Sequence, residues 1–216
     1  MKEMKKFFAV VLIFCLAFSL TACGGDKTPS KTGNGATKDT LVWVQSADVT
    51  SLDPHVGKET PAVTVTCQIF DTLLTMGENN QPAPLLAESY EQVDEKTWTF
   101  KLRQDVKFHD GESMTAEDVV FSINRARESN YVSYVVEAIS DITADDDYTV
   151  TITTKEPYAP LLASLTVPFT AIVPKHAVEA DEEAFTMNPI GTGAYKFVEW
   201  KQGEYVKLEA NDEYFQ

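Results

Sequence analysis

The chain has 216 residues, 18 of them basic and 33 acidic, for a formal net charge of −15. That balance excludes nucleic acid as a partner, because phosphates need a basic surface. With 44% apolar and 11% aromatic residues, the composition is that of a folded chain rather than a disordered one.

The N-terminus carries Lys2, Lys5 and Lys6, and an uncharged apolar run, Phe7 to Leu20, follows. A basic start, a short apolar core and small residues before a cut mark an export signal. The run falls short of the roughly 20 residues that a spanning helix needs. Leu20-Thr21-Ala22-Cys23 closes it and resembles a bacterial lipobox, which makes Cys23 the acylated first residue of the mature protein. Two acyl chains of the palmitate type suffice to hold a soluble domain on a bilayer. The alternative is an ordinary signal peptide with a chance cysteine. Removing residues 1–22 takes away three lysines and one glutamate and leaves a net charge of −17.

Residues 23–40 are rich in Gly, Ser, Thr and Lys and read as a flexible tether. Residues 41–216 read as the folded part, without repeats. Leu41-Val42-Trp43-Val44 is a candidate buried strand, and Ser51-Leu52-Asp53-Pro54 is a turn. Pro61 to Leu74 places Ala62, Val65, Ile69 and Leu73 at helical spacing, with Pro61 suited to the first turn. Cys67 lies in that pattern and reads as a small core residue. With Cys15 in the signal and Cys23 at the anchor, Cys67 has no partner for a disulfide. His55, His109 and His176 are far apart and lack paired ligands, so no metal or cofactor is expected.

Thr97 to Arg103 alternates Trp98, Phe100 and Leu102 with Thr99, Lys101 and Arg103, the pattern of a half-buried strand. Thr149 to Thr154 repeats it with Val150 and Ile152, and Tyr195–Trp200 with Tyr205–Glu209 predict a hairpin around Gln202-Gly203. The clearest local signal is the run from Phe108 to Ser122, FHDGESMTAEDVVFS, which reads strand, turn, cap, helix. Asp110-Gly111 supplies the turn. Thr115 is an N-cap with Asp118 three residues on, in the manner of a capping box. Glu117 and Asp118 face the positive end of the helix dipole, and Arg125 and Arg127 the negative end. Val119, Ile123 and Ala126 form the inward stripe. Asp110, Glu112, Glu117 and Asp118 admit a reading as acid–base carboxylates, but turn and cap explain them without chemistry.

This block resembles the signature of bacterial extracellular solute-binding protein family 5. Four further segments are similar to family motifs in the same order: Ser51-Leu52-Asp53-Pro54-His55, Ile69 to Leu74, Pro189 to Phe197 (with Ala194 where the family has proline) and Ala210 to Phe215. The resemblance implies an α/β (mixed) fold, type II-like among periplasmic binding proteins. The chain then holds part of lobe I with its accessory subdomain, and the second lobe is absent. It also implies the function of a substrate-binding component of an ABC importer, which captures peptides outside the membrane and hands them to permease and ATPase subunits. Nickel complexes and sugars are minority ligands of the family. Hinge closure around the ligand is the family's mechanism.

By the same resemblance, Lys58, Glu59 and Thr60 after the SLDPH turn contact ligand, as does Tyr131 or Tyr134 of the stretch Tyr131-Val132-Ser133-Tyr134. A tyrosine offers a flat apolar ring and a polar tip. The competing reading makes Lys58 and Glu59 exposed loop charges and leaves the tyrosines packing the subdomain. Two other function classes stay open. One is a non-transporting remnant, or a half-protein needing a separately encoded C-terminal lobe. The other is an exported hydrolase, against which the sequence shows no G-x-S-x-G, H-E-x-x-H or Cys/His pairing.

Overall fold

The structure is a computed structural model that describes residues 39–216. The export signal, Cys23 and nearly all of the tether lie outside the described residues. Helix α1 spans Thr60–Ile69 and carries Pro in its first turn. Two short strands, β1 (Leu74–Met76) and β2 (Pro82–Pro84), pair antiparallel. Then come β3 (Ala87–Gln92), β4 (Thr97–Leu102), helix α2 (Ala116–Glu128), β5 (Ile139–Asp146) and β6 (Thr149–Thr154). These four strands form one antiparallel sheet in the order β3-β4-β6-β5. Short helices α3 (Leu161–Ser164), α4 (Lys175–Ala180) and α5 (Glu182–Met187) follow, and the hairpin β7 (Tyr195–Lys201) with β8 (Tyr205–Ala210) ends the chain.

The alternation in β4 and β6 works as the pattern requires. Phe100, Leu102, Val150 and Ile152 are buried against Val119, Ile123 and Ala126 of α2, and Thr99 meets Thr151 hydroxyl to hydroxyl at 3.2 Å. The helix start is built as its sequence suggests, with one difference. Asp118 Oδ2 accepts from the amide (2.9 Å) and the hydroxyl (3.1 Å) of Thr115, so the threonine donates to the box. Asp118 Oδ1 accepts from Lys175 N at 3.0 Å, which ties α4 to the start of α2. Glu117 pairs with Lys175 and Asp110 with His176, so three of the four candidate acid–base carboxylates have structural partners. A second apolar cluster gathers Val49, Leu52, Ala62, Val65, Ile69 and Phe70 with Ala171, Val173, Val178 and Phe185, under the β7–β8 hairpin.

Three sequence expectations fail here. Leu41-Val42-Trp43-Val44 is irregular and forms no strand. Cys67 is exposed rather than core, because α1 turns Ala62, Val65, Thr66 and Ile69 inward and leaves Cys67 on the other side. Helix α1 stops at Ile69, short of Leu74. Beyond that point the carbonyls are taken by tertiary donors: Gly193 N–H binds Ile69 O at 2.8 Å and Ile172 N–H binds Asp71 O at 2.9 Å. Leu73 is buried all the same, in the other cluster.

The Gly191-Thr192-Gly193 segment lies so close to the end of α1 that side chains do not fit. A Cβ on Gly193 would stand 2.5 Å from Gln68 O, and one on Gly191 would collide with Ile69 O. Backbone atoms cannot swing aside as a side-chain tip can, so overpacking here costs at least the usual ~1–3 kcal/mol. Gly193→Ala is therefore expected to destabilise the fold by about 3 kcal/mol. Gly111→Ala, where the space is open but φ is +95°, should cost about 1 kcal/mol. Urea midpoints of the two variants check the ranking.

Candidate functional site

The residues expected to meet ligand follow directly on a turn that is anchored inside the protein. Asp53 is fully buried, and Arg125 on α2 reaches it with two hydrogen bonds, 2.9 Å to Oδ1 and 2.6 Å to Oδ2. Asp53 Oδ1 also accepts from the amide of His55 at 2.8 Å. His55 is buried as well. Its Nδ1 lies 2.9 Å from Arg125 Nη1, and its Nε2 lies 3.1 Å from Ala171 O. Arg125 can only donate, so Nδ1 is the acceptor and Nε2 carries the proton. Glu182 on α5 takes a further bond from Arg125 Nη2 at 2.6 Å.

Ser129, just past the end of α2, donates to His55 O at 2.7 Å. The same hydroxyl oxygen accepts from the amide of Tyr131 at 3.1 Å. The SLDPH turn and the tyrosine stretch are thus fastened to one another through a single serine. The result on the surface is that Lys58 Nζ lies 5.8 Å from the centre of the Tyr131 ring, within cation–π range. Both side chains are exposed, Tyr131 at 47%. Glu59 is held by the Thr50 hydroxyl at 2.8 Å, and that bond keeps its carboxyl below the ordinary range. Thr60 opens helix α1 beside it.

Lys58 and Tyr131 therefore meet on the surface, and Glu59 and Thr60 follow Lys58 in the chain. Tyr134 lines a cavity with Asn124, Arg127 and Lys155, which neither Lys58 nor Tyr131 lines. Sequence reasoning missed the fasteners: Asp53, Arg125, Ser129 and Thr50. Seventy-two residues separate Asp53 from Arg125, and no local pattern announces such a pair. Among the described residues no group of three or more His, Cys, Asp or Glu is placed to hold a metal.

A second cluster ties the remaining motifs. Asp71 accepts from the Thr192 hydroxyl at 2.9 Å and the Tyr214 hydroxyl at 3.2 Å. Burial raises the Asp71 carboxyl, and those two hydrogen bonds work against the rise. His109 Nε2 meets Gly193 O at 2.9 Å, and Asn211 Nδ2 donates to the same carbonyl at 3.0 Å.

Residues 81–216 match the profile of Bacterial extracellular solute-binding proteins, family 5 Middle. The chain belongs to this family of solute-binding proteins. It is 35% identical over 202 residues to the periplasmic oligopeptide-binding protein OppA of Escherichia coli (strain K12), covering 83% of this chain and 37% of that protein. Among solved structures, NikZ from Campylobacter jejuni in complex with Ni(L-His) superposes with a TM-score of 0.74 at 33% identity, over 82% of this chain and 36% of that one. DppA from Helicobacter pylori in complex with the peptide STSA gives 0.71 at 29%, over 79% and 38%. The chain thus spans well under half the length of these relatives. The fold is mixed α/β, that of part of one lobe of a type II periplasmic binding protein, as the family resemblance implies.

Burial drives the pKa of His55 down from 6.5 to about 4; Asp53 opposes the fall, and Arg125 adds to it. The unfolded chain takes up a proton near pH 6.5 that the folded one refuses until about pH 4. Stability present at neutral pH is therefore lost as pH falls through this window, by about 3 kcal/mol for His55 alone. His55→Gln should flatten the fall between pH 6.5 and 4, as measured by urea unfolding at a series of pH values. An unchanged slope would mean that other groups carry it.

Proposed function

We propose that this chain is part of an extracytoplasmic receptor that captures peptides for an ABC importer. The observation that carries the reading is the pairing of Lys58 with Tyr131 on a turn anchored by Asp53, Arg125 and Ser129, in a chain 35% identical to an oligopeptide-binding protein. A receptor for varied peptides has to hold backbone firmly and side chains loosely. An exposed phenol ring suits the loose part, since its flat face accepts many side chains and it has few torsions to freeze. The buried anchor suits the firm part, because a preorganised contact loses less entropy on binding. In a two-lobed protein of the relatives' length, the other wall of the cleft comes from the second lobe, and closure over the peptide signals the permease.

The same proposal takes residues 1–22 as export signal, Cys23 as the acylated anchor and residues 23–40 as tether. Cys23→Ser is then expected to abolish palmitate labelling and to release the protein from the membrane fraction. Labelling that persists in the variant would remove the anchor from the proposal.

In the complete receptor, Tyr131→Ala is expected to weaken binding of trialanine by about tenfold, or about 1.4 kcal/mol. Lys58→Ala and Glu59→Ala should weaken it about threefold each. Titration calorimetry reads the affinities, and urea unfolding should show the three variants as stable as the parent. Unchanged affinity in all three would take the assignment away.

A further inference from the structure

On α2 and the turn after it, a cavity of about 630 Å³ is lined by Asn124, Arg127, Glu128, Tyr134, Glu137 and Lys155, among others. It is separate from the Lys58–Tyr131 face, since neither of those residues lines it. Its volume lies within the range of about 300–1,000 Å³ usual for small-molecule sites.

The charges around it are arranged unusually for this chain. Of its three arginines, Arg103 and Arg125 each hold a carboxylate, at 2.7 and 2.6 Å. Arg127 holds only neutral acceptors: Asn124 Oδ1 at 2.8 Å and Ser140 O at 3.1 Å. Those two bonds fix the plane of the guanidinium without neutralising it. Among the described residues, no ion pair within 4.0 Å engages Arg127, Lys155, Glu128 or Glu137. Two cations and two carboxylates thus line one cavity without pairing with each other. Exposed charges of opposite sign gain little from pairing, and here both signs line a space of ligand size. A ligand with one charge would meet repulsion from two of the four charged groups in the lining. A ligand carrying both a carboxylate and an ammonium meets a partner for each.

We propose that this cavity binds a small zwitterion of the α-amino-acid class. Arg127, as an oriented fork, takes the carboxylate in a charge-assisted pair, with Lys155 adding to the field. Glu128 and Glu137 receive the ammonium. The Tyr134 ring, exposed at 63%, covers the ligand's apolar side chain. The site is independent of the peptide reading above, because it uses none of the same side chains.

The test is a nuclear magnetic resonance titration of the ¹⁵N-labelled full chain with three probes: L-leucine, succinate and n-butylamine. Leucine should give saturable shifts at the amides of residues 124–139 and at Lys155, while the two single-charge probes give only weak, unsaturated ones. Arg127→Gln and Glu137→Gln should each weaken leucine binding about fivefold or more, and Lys107→Gln, outside the cavity, should leave it unchanged. Lys155→Gln, a change at an exposed side chain, serves if loss of the Ser140 contact unfolds the Arg127 variant. Linear shifts with leucine, equal saturation by succinate, or leucine affinity unaltered in both Lys155→Gln and Glu137→Gln would overturn the proposal.

Discussion

Inside this protein the carboxylate of Asp53 meets the guanidinium of Arg125, and the placement of the candidate binding face follows from that contact. A fully buried carboxylate is expensive to strip of water, and it persists only with a partner that repays it in geometry and hydrogen bonds. Arg125 does so with a two-pronged contact, and its spare donors reach His55 and Glu182. Any shift of the SLDPH turn against α2 would strand a charge, so the turn has one stable seat. Ser129 extends the constraint to the tyrosine stretch. Lys58 and Tyr131 come together because both hang from this seat, with no strong attraction of their own.

The family motifs fall into two such fasteners. One joins the SLDPH turn to the far end of the helix that begins after FHDG. The other gathers Asp71, the Gly-Thr-Gly segment, His109, Asn211 and Tyr214 around the end of α1. In each, a buried polar side chain satisfies backbone or charged groups that would otherwise be left without water. These motif residues are occupied in holding segments together, which leaves the exposed residues beside them for the proposed ligand contacts. A buried network tolerates little change, whereas an exposed ring or loop charge can vary with the ligand.

Rigidity in the right place also connects the fold to its proposed use. The four-stranded sheet with α2 forms one apolar cluster, and α1 with the segments around Ala171 and Val178 forms another. Arg125, on the helix of the first cluster, bonds the turn that carries Leu52 of the second. Ser122 does the same from the middle of that helix, accepting from Val173 N–H at 2.9 Å. The candidate face thus sits where two packed units are cross-linked by hydrogen bonds. A contact held in that way is preorganised, as the proposed use requires.

Local rules fixed a good part of the fold from the sequence. The alternation of Trp98, Phe100 and Leu102, the cap at Thr115, the stripe of Val119, Ile123 and Ala126 and the turn at Gly203 depend on neighbours a few residues away, and periodicity or φ preference is enough to read them. The same is true of the residue types beside the SLDPH turn. Other features belong to the tertiary structure alone. Helix α1 ends at Ile69 because Gly193, 124 positions later, takes its carbonyl. Cys67 turns outward because α1 buries a different set of residues. Tyr131 and Tyr134, equal candidates by sequence, part company: Tyr131 meets Lys58, and Tyr134, within a short helical turn at Ser133–Val135, lines a separate cavity. Periodicity reports which face of an element is apolar; which distant group meets that face, and which donor ends the element, depends on contacts between residues far apart in the chain, 72 positions for Asp53 and Arg125, that no local pattern encodes.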